Sequence, residues 1–448
     1  MMNLLRALQS RPFHRPPDFM SHRILLPRLL PQHLAAKMLS ASLLLAAAVC
    51  PAVVLAQEPV PGLSIDQVTE RVLSGNRDLQ AASLARDSAR SGIAAAQALP
   101  NPKLDLTGGR AAPRFGVASS TTVQGFGASQ LIESSALRGS RIDAARALER
   151  GAGHTIAQVR NDLVALTRLG AFEALLRQEE ADAAAEALRL LDQVRERVRV
   201  RVDSGEAPRY ELIKADAEII TARQRRDGAG ILAEKALLDL NRLAGGALPE
   251  RWRLAAALDE AGPPLVLDAL IREALERSPD LALLQADVDR ARAQLQAAQA
   301  SRWPGFEVRV DHSREPDVVQ NRIGVNVAVP LLDNRSNVIE QASIDLTRAQ
   351  RLLEGRRAEL RQQMLLGWKS LEMAAGAVDA LSRGAVREAE AALRVAEAAY
   401  RFGERGILEV LDAQRVLRSV RADLLQARFQ VQAARVGLEQ LAARYIDR

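Results

Sequence analysis

Residues Leu63 through Thr107 align without a gap on Leu265 through Arg309, at a constant offset of 202. Asp66 meets Asp268, Leu73 meets Leu275, Asp78-Leu79 meets Asp280-Leu281, Arg90 meets Arg292, Gln97 meets Gln299 and Pro102 meets Pro304. Farther along, Gly205-Glu206 corresponds to Gly403-Glu404 and Glu211 to Glu409, at offset 198. The chain is therefore two copies of one unit of about 200 residues, joined near Gly262-Pro263-Pro264. A duplication constrains the fold more than composition does, because both copies must reach the same local structure.

Each copy reads in the same order. A short helix (64–73, 266–277) leads into a longer one (76–98, 279–302), which proline stops: Pro100 and Pro102 in the first copy, Pro304 in the second. A strand pair follows. In the second copy Phe306, Val308 and Val310 alternate with Glu307, Arg309 and Asp311. Ile323, Val325, Val327 and Val329 alternate with Gly324, Asn326 and Ala328. That period of two gives one apolar and one polar face. The first copy is weaker, with Leu104 and Leu106 in one strand and a Gly-rich second strand near 121–132.

Very long helical stretches come next, 135–202 and 334–402. At ~1.5 Å per residue such a stretch reaches roughly 100 Å. Turns at Asp203-Ser204-Gly205 and Gly403-Glu404-Arg405-Gly406 reverse the chain, with glycine supplying the left-handed residue. The last helix carries a heptad seam. Val410, Leu417, Leu424, Val431, Leu438 and Tyr445 are seven apart, and Ala413, Val420, Ala427, Ala434 and Leu441 follow each of the first five by three. Such a seam packs helices side by side.

Aromatic residues make up only 3% of the 448, so a compact core of large rings is not expected. The pI near 9.9 suggests nucleic-acid binding until the charges are located. Arg6, Arg11, Arg15, Arg23, Arg28 and Lys37, against Asp18, give residues 1–56 five of the six net positive charges. The remainder is nearly neutral with mixed signs, which leaves no basic patch for phosphate. The amino-terminal segment instead reads as an export signal: a basic stretch, the apolar run Leu43–Val49, then small residues at Val54-Leu55-Ala56 before Gln57. Met20 and Met38 are alternative starts. A lipid-anchored alternative uses Cys50, although Val49 stands where a lipobox takes Gly, Ala or Ser. Cys50 is the only cysteine, so a chain cut after Ala56 has neither disulfides nor thiolate metal sites.

These features give an exported protein with long paired helices and two amphipathic strand pairs. Four strands cannot close a barrel, and an open sheet edge cannot face lipid. Membrane barrels begin at about eight strands, so several chains must contribute. The expected fold is mostly α with membrane β-strands. The expected organisation is a signal peptide over 1–56 and two structural repeats. The first, 57–262, has strands near 103–111 and 121–132 and a hairpin over 135–244. The second, 263–448, has strands near 305–312 and 321–331 and a hairpin over 334–445.

Local motifs then add a resemblance. Ala98-Leu99-Pro100-Asn101-Pro102 enters the first strand, and Gln130-Leu131-Ile132-Glu133 and Pro330-Leu331-Leu332-Asp333 leave the second strand of each copy. Tyr400-Arg401-Phe402-Gly403-Glu404-Arg405 runs into Glu409-Val410-Leu411-Asp412-Ala413-Gln414. From about Leu63 to Tyr445 the sequence resembles the TolC family of outer-membrane factors, and its first entry motif resembles the CzcC-like heavy-metal branch. The resemblance implies a homotrimer in outer-membrane lipid, with a twelve-stranded barrel continued by a twelve-helix periplasmic tunnel. It also implies a periplasmic adaptor and an inner-membrane resistance-nodulation-division (RND) pump as partners. Glu409 and Asp412 match the family's acidic entrance residues, and Tyr400 and Arg405 match positions that tie the closed entrance together. A threefold ring of carboxylates would favour cations. The copy-one position matching Asp412 is Lys214, so the acidic pair is not duplicated. The hairpin tips, Ser204, Gly205, Gly403 and Glu404, are the expected adaptor contacts.

The function expected is a passive efflux duct for metal cations. Drug or solvent efflux and type I secretion are alternatives within the fold, and a periplasmic coiled-coil scaffold is the alternative outside it. No cofactor, resident metal or catalytic chemistry is expected. His154 and His312 are isolated, and no Gly-x-Ser-x-Gly, phosphate loop or HExxH run occurs. Trp303 and Phe306, at a strand entry, suit either a membrane interface or barrel-base packing.

Overall fold

The computed structural model describes residues 61–111, 121–259, 262–303, 305–315 and 318–447. The export-signal reading, Cys50 and the alternative starts lie outside them.

The first copy opens with a two-residue strand, β1 (Gly62–Leu63), and helix α1 (Ile65–Gly75). Ser64 and Gln67 form a reciprocal capping box that fixes where α1 begins. Asn76 caps α2 (Arg77–Gln97) by accepting from the amides of Asp78 and Leu79. Strands β2 (Lys103–Ala111) and β3 (Thr121–Glu133) follow, then the 69-residue α3 (Ser135–Asp203) and α4 (Arg209–Leu243). After a short strand β4 (Arg253–Leu254), the second copy runs α5 (Leu267–Arg277), α6 (Pro279–Ala300), β5 (Gly305–Arg314) and β6 (Val319–Val327). Its hairpin is α7 (Ser336–Ala380), a π turn (Leu381–Ala385), α8 (Val386–Arg401) and α9 (Ile407–Leu441).

Three details depart from the sequence reading. The expected uninterrupted helix over 334–402 is broken by the π turn, where the Arg387 guanidinium donates to the Arg383 carbonyl at 2.6 Å. It also starts two residues late, because the Asp333 and Asn334 side chains accept from the Arg335 and Ser336 amides in local turns. β6 ends at Val327, not near 331, because its partner β5 begins at Gly305 and the last rung is Phe306 with Val327.

The four long strands form one antiparallel sheet in the order β2-β3-β5-β6, which leaves β2 and β6 as edges within the chain. The short strands β1 and β4 pair in parallel, joining Gly62-Leu63 to Arg253-Leu254. Beside this pair lies the largest core cluster. It gathers Val68 and Val72 of α1, Leu163 and Leu176 of α3, Leu240 of α4, Trp252, Leu258 and Tyr445. The heptad seam of α9 faces inward: Val410, Leu417, Ala427, Leu438 and Tyr445 are buried, and its other members are half-buried. A second cluster joins the hairpins near their turns, through Leu191 and Val198 of α3, Ile219 of α4, Tyr400 of α8, and Ile407, Val410 and Leu411 of α9.

Candidate functional site: the two-faced sheet and the hairpin tips

Strand register sorts the sheet's side chains into two faces, because directly paired residues share a side. One row across the sheet is Leu104, Ala128, Val310 and Ile323, and its neighbour is Gln130, Val308 and Val325. Leu104, Leu106, Ile323 and Val325 are 60–85% exposed, an area of apolar surface unusual in water. At one end of this face His312 hydrogen-bonds Asn321 through Nδ1 at 2.7 Å and stacks on Phe126, with ring centroids 4.9 Å apart. At the other end Trp303 is exposed beside Phe306.

The opposite face is charged. Lys103 reaches Glu307 at 3.7 Å, Ser129 donates to Glu307 at 2.6 Å, and Arg309 contacts Asp105 at 3.5 Å and Asp311 at 2.8 Å. The glycines of β3, which weakened the sequence signal for this strand, have a packing reason. A Cβ on Gly127 would lie 2.5 Å from Asp311 Oδ1, and one on Gly125 would lie 2.7 Å from Thr107 Oγ1.

The sheet meets the helices at a junction built by two of the sequence motifs. Arg141 of α3 binds Glu133 with both terminal nitrogens, at 2.7 and 2.8 Å, and donates to the carbonyls of Ala96 and Ala98. Gln130 donates to the Pro100 carbonyl at 2.9 Å. One bidentate arginine thus clamps the end of α2, the end of β3 and the start of α3. The sequence reading missed Arg141, because nothing local marks a side chain that reaches 45 residues back.

At the hairpin tips Gly205 has φ 79° and Gly403 φ 73°, so both turns use the left-handed region that glycine enters freely. Ser204 and Glu404 flank them on exposed backbone. The four entrance candidates separate into an exposed group and a buried one. Arg405 binds Glu409 through both carboxylate oxygens at 2.9 Å on the surface of α9, and Asp412 lies 3.4 Å from Arg415. Both acids are therefore paired within their own chain. Tyr400 is elsewhere, buried against the first hairpin. Arg201 of α3 sits 4.7 Å over its ring and donates to its carbonyl at 3.2 Å.

Glu211, the copy-one counterpart of Glu409, comes to the same place. Its Oε1 would be 3.5 Å from a Cβ on Gly406 of the second hairpin. Among the described residues, Tyr400 Oη and Glu211 Oε2 are buried without a hydrogen-bond partner. Burial first, and the nearby Glu211 carboxylate second, push the Tyr400 phenol above its ordinary range. Two orphaned oxygens cost about 1–3 kcal/mol each. Apolar packing, the Arg201–ring contact and the Arg201 hydrogen bond to the Tyr400 carbonyl therefore hold this junction, not the two orphaned oxygens. Arg201 and Glu211 were not singled out from sequence, although the alignment of Glu211 with Glu409 carried a signal for one of them. Among the described residues no three His, Cys, Asp or Glu side chains gather as a metal site, and no helix is long and apolar enough to cross a membrane.

Known proteins share this sequence pattern and fold. The cobalt-zinc-cadmium resistance protein CzcC of Cupriavidus metallidurans is 26% identical over 395 residues, 87% of this chain and 92% of that protein. The solved channel protein CusC superposes with a TM-score of 0.72 at 19% identity, over 86% of this chain and 92% of that one. The outer membrane protein VceC of Vibrio cholerae superposes with a TM-score of 0.71 at 15% identity, over 85% and 96%. Both superpositions bear on the fold: long helical hairpins carrying a sheet of amphipathic strands. The model of the outer membrane efflux protein family matches residues 68–246 and again 270–444, most of the chain, and the chain belongs to that family.

Proposed function

We infer that the chain is one protomer of a homotrimeric exit duct in the outer membrane, passive in itself, through which an RND pump and a periplasmic adaptor expel metal cations. The observation that carries this reading is the four-stranded sheet with one exposed apolar face, one charged face and two free edges. An isolated sheet of this kind leaves edge N–H and C=O groups unpaired and apolar side chains in water. Joining β6 of one copy to β2 of the next pairs the edges, and setting the closed sheet in lipid covers the apolar face. Three copies would give a closed barrel with its charged face around a wet lumen. Similarity to a cobalt-zinc-cadmium resistance protein supports divalent metal as cargo.

Deleting the gene in its own host tests the cargo. Sensitivity to cobalt, zinc and cadmium is expected to rise, with restoration by the wild-type chain. Unchanged metal tolerance alongside new sensitivity to organic toxicants would reject metal export while leaving the duct in place. Fractionation tests the duct itself: a soluble periplasmic monomer would eliminate it.

The ion pairs at the tips sharpen the entrance reading. Replacing Glu409 and Asp412 by Ala frees Arg405 entirely and leaves Arg415 with Glu218 alone, at 2.7 Å. The local field then turns positive. In planar bilayers the double variant is expected to lose cation selectivity and block by divalent ions. An unmoved reversal potential would remove both residues from the entrance.

Tyr400→Ala should loosen the tips. Its ring fills the inter-hairpin cluster and carries Arg201, so truncation costs about 3 kcal/mol. A closed entrance held by this contact should open more often, seen as longer open dwell times. Dwell times equal to wild type would show that the junction does not gate.

A further inference from the structure

Between the two hairpins, α3, α4, α8 and α9 line a cavity of about 490 Å³. Ala183, Ala187 and Leu190 of α3, Leu393 of α8 and Leu425 of α9 make its lining largely apolar. Arg225 of α4 and Arg415, Arg418 and Arg421 of α9 line it opposite Glu180 and Glu186 of α3, so its cations outnumber its acids. The volume lies in the ~300–1,000 Å³ range of small-molecule pockets, which pair apolar walls with a few convergent polar groups.

The arginines are unevenly compensated. Arg415 is satisfied twice, by Glu218 at 2.7 Å and Asp412 at 3.4 Å. Arg418, with its side chain 25% exposed, reaches Glu218 only at 3.9 Å. Arg225 makes no ion pair among the described residues. Burial first, then the like charge of Arg225, pulls the Arg418 guanidinium below its usual range. A guanidinium desolvated beside another cation is a strong anchor for an incoming anion, which it can hold through two parallel N–H donors. Of the two lining acids, Glu180 is held by Arg177 at 2.8 Å, so the lining stays net cationic and offers a neutral apolar molecule only its apolar walls.

We propose that this cavity binds a small amphipathic monoanion, with its sulfonate, sulfate or carboxylate head on Arg418 and Arg225 and its apolar body against the α3, α8 and α9 walls. The site adjoins the acidic entrance through Arg415, which pairs with Asp412 at 3.4 Å, but takes an anion and not the cation cargo. Its walls come from both hairpins, so an occupant bridges them and favours the arrangement in which they are packed together.

Two fluorescent probes that differ by one sulfonate test the site: 8-anilinonaphthalene-1-sulfonate and its uncharged parent, N-phenyl-1-naphthylamine. Each is titrated into the full-length mature chain in lipid nanodiscs, with empty nanodiscs subtracted. The sulfonate is expected to bind saturably, one molecule per chain, about ten-fold or more tighter than the neutral probe. Arg418→Gln with Arg225→Gln should weaken the sulfonate about ten-fold while barely changing the neutral probe. Ala187→Phe, which fills the cavity without adding or removing a charge, should weaken both. Sulfonate binding no greater than to empty nanodiscs, equal affinity for the two probes, or indifference to Ala187→Phe in a correctly assembled variant would each overturn the proposal. The measurement is independent of cargo and pump, so its failure would leave the duct reading intact.

Discussion

Ile323→Arg is expected to abolish assembly in the outer membrane. Ile323 is 83% exposed and lies in a row with Leu104, Ala128 and Val310 on the apolar face of the sheet. An arginine on the lipid face of a membrane barrel costs ~2–4 kcal/mol near the midplane. Threefold repetition raises this to about 6–12 kcal/mol per assembled barrel, comparable to the whole stability of many folded domains. The heat-modifiable trimer band and the outer-membrane fraction should both disappear. Asn326→Arg is the matched control, since Asn326 pairs with Glu307 on the charged face and the new guanidinium would meet a carboxylate in a wet lumen. Two variants of equal size and charge should therefore differ completely. Wild-type levels of trimer from Ile323→Arg would show that the apolar face is not against lipid.

The second large effect is expected at the far end of the chain. Tyr445 is fully buried, and its hydroxyl donates to Glu439 at 2.6 Å. Arg168 of α3 stands 5.4 Å over its ring. The ring fills the main core between the first helix, α3 and the segment around Trp252. Tyr445→Ala should cost about 3–5 kcal/mol from the cavity alone, with a further penalty because buried Glu439 loses the hydroxyl and is left, among the described residues, with the Arg435 ion pair at 3.2 Å. Tyr445→Phe isolates the hydroxyl and should cost about 1–3 kcal/mol. Denaturation midpoints followed by near-ultraviolet circular dichroism should rank wild type above Phe and Phe above Ala. Equal midpoints for all three would mean that the last residues contribute nothing to the core.

Much of this architecture is legible in the sequence for reasons that are local. The β5 alternation of Phe306, Val308 and Val310 gives its strand away because successive side chains must point to opposite faces. Gly205 and Gly403 mark the hairpin turns because each has a positive φ that other residues rarely adopt. The α9 seam was readable because seven residues return a side chain to nearly the same face of a helix. The strand β3 was harder. Its glycines yield to neighbours across the sheet, such as Asp311, and not to any periodic rule.

The entrance residues show the limit most clearly. Tyr400, Arg405, Glu409 and Asp412 were singled out together through resemblance, yet only Arg405 with Glu409 forms a direct pair. Tyr400 turns toward Arg201 and Glu211 on the other hairpin, a partnership spanning about 200 residues of chain. The pairing of Gly62-Leu63 with Arg253-Leu254 was equally hidden, because two-residue strands carry no period.

By itself, the amino-acid order determined the duplication, the succession of helices and strands, the places where glycine reverses the chain and the split of the second-copy strands into an apolar and a polar side. Those properties depend on neighbours within a few residues, where backbone geometry alone dictates which side chains share a face. The tertiary structure alone decided that Arg141 clamps three elements, that Tyr400 is an inter-hairpin contact, and that Arg225 and Arg418 come together on a largely apolar cavity. Those outcomes depend on how long helices pack across distant parts of the chain, where a side chain's partner is set by three-dimensional proximity and not by spacing along the sequence.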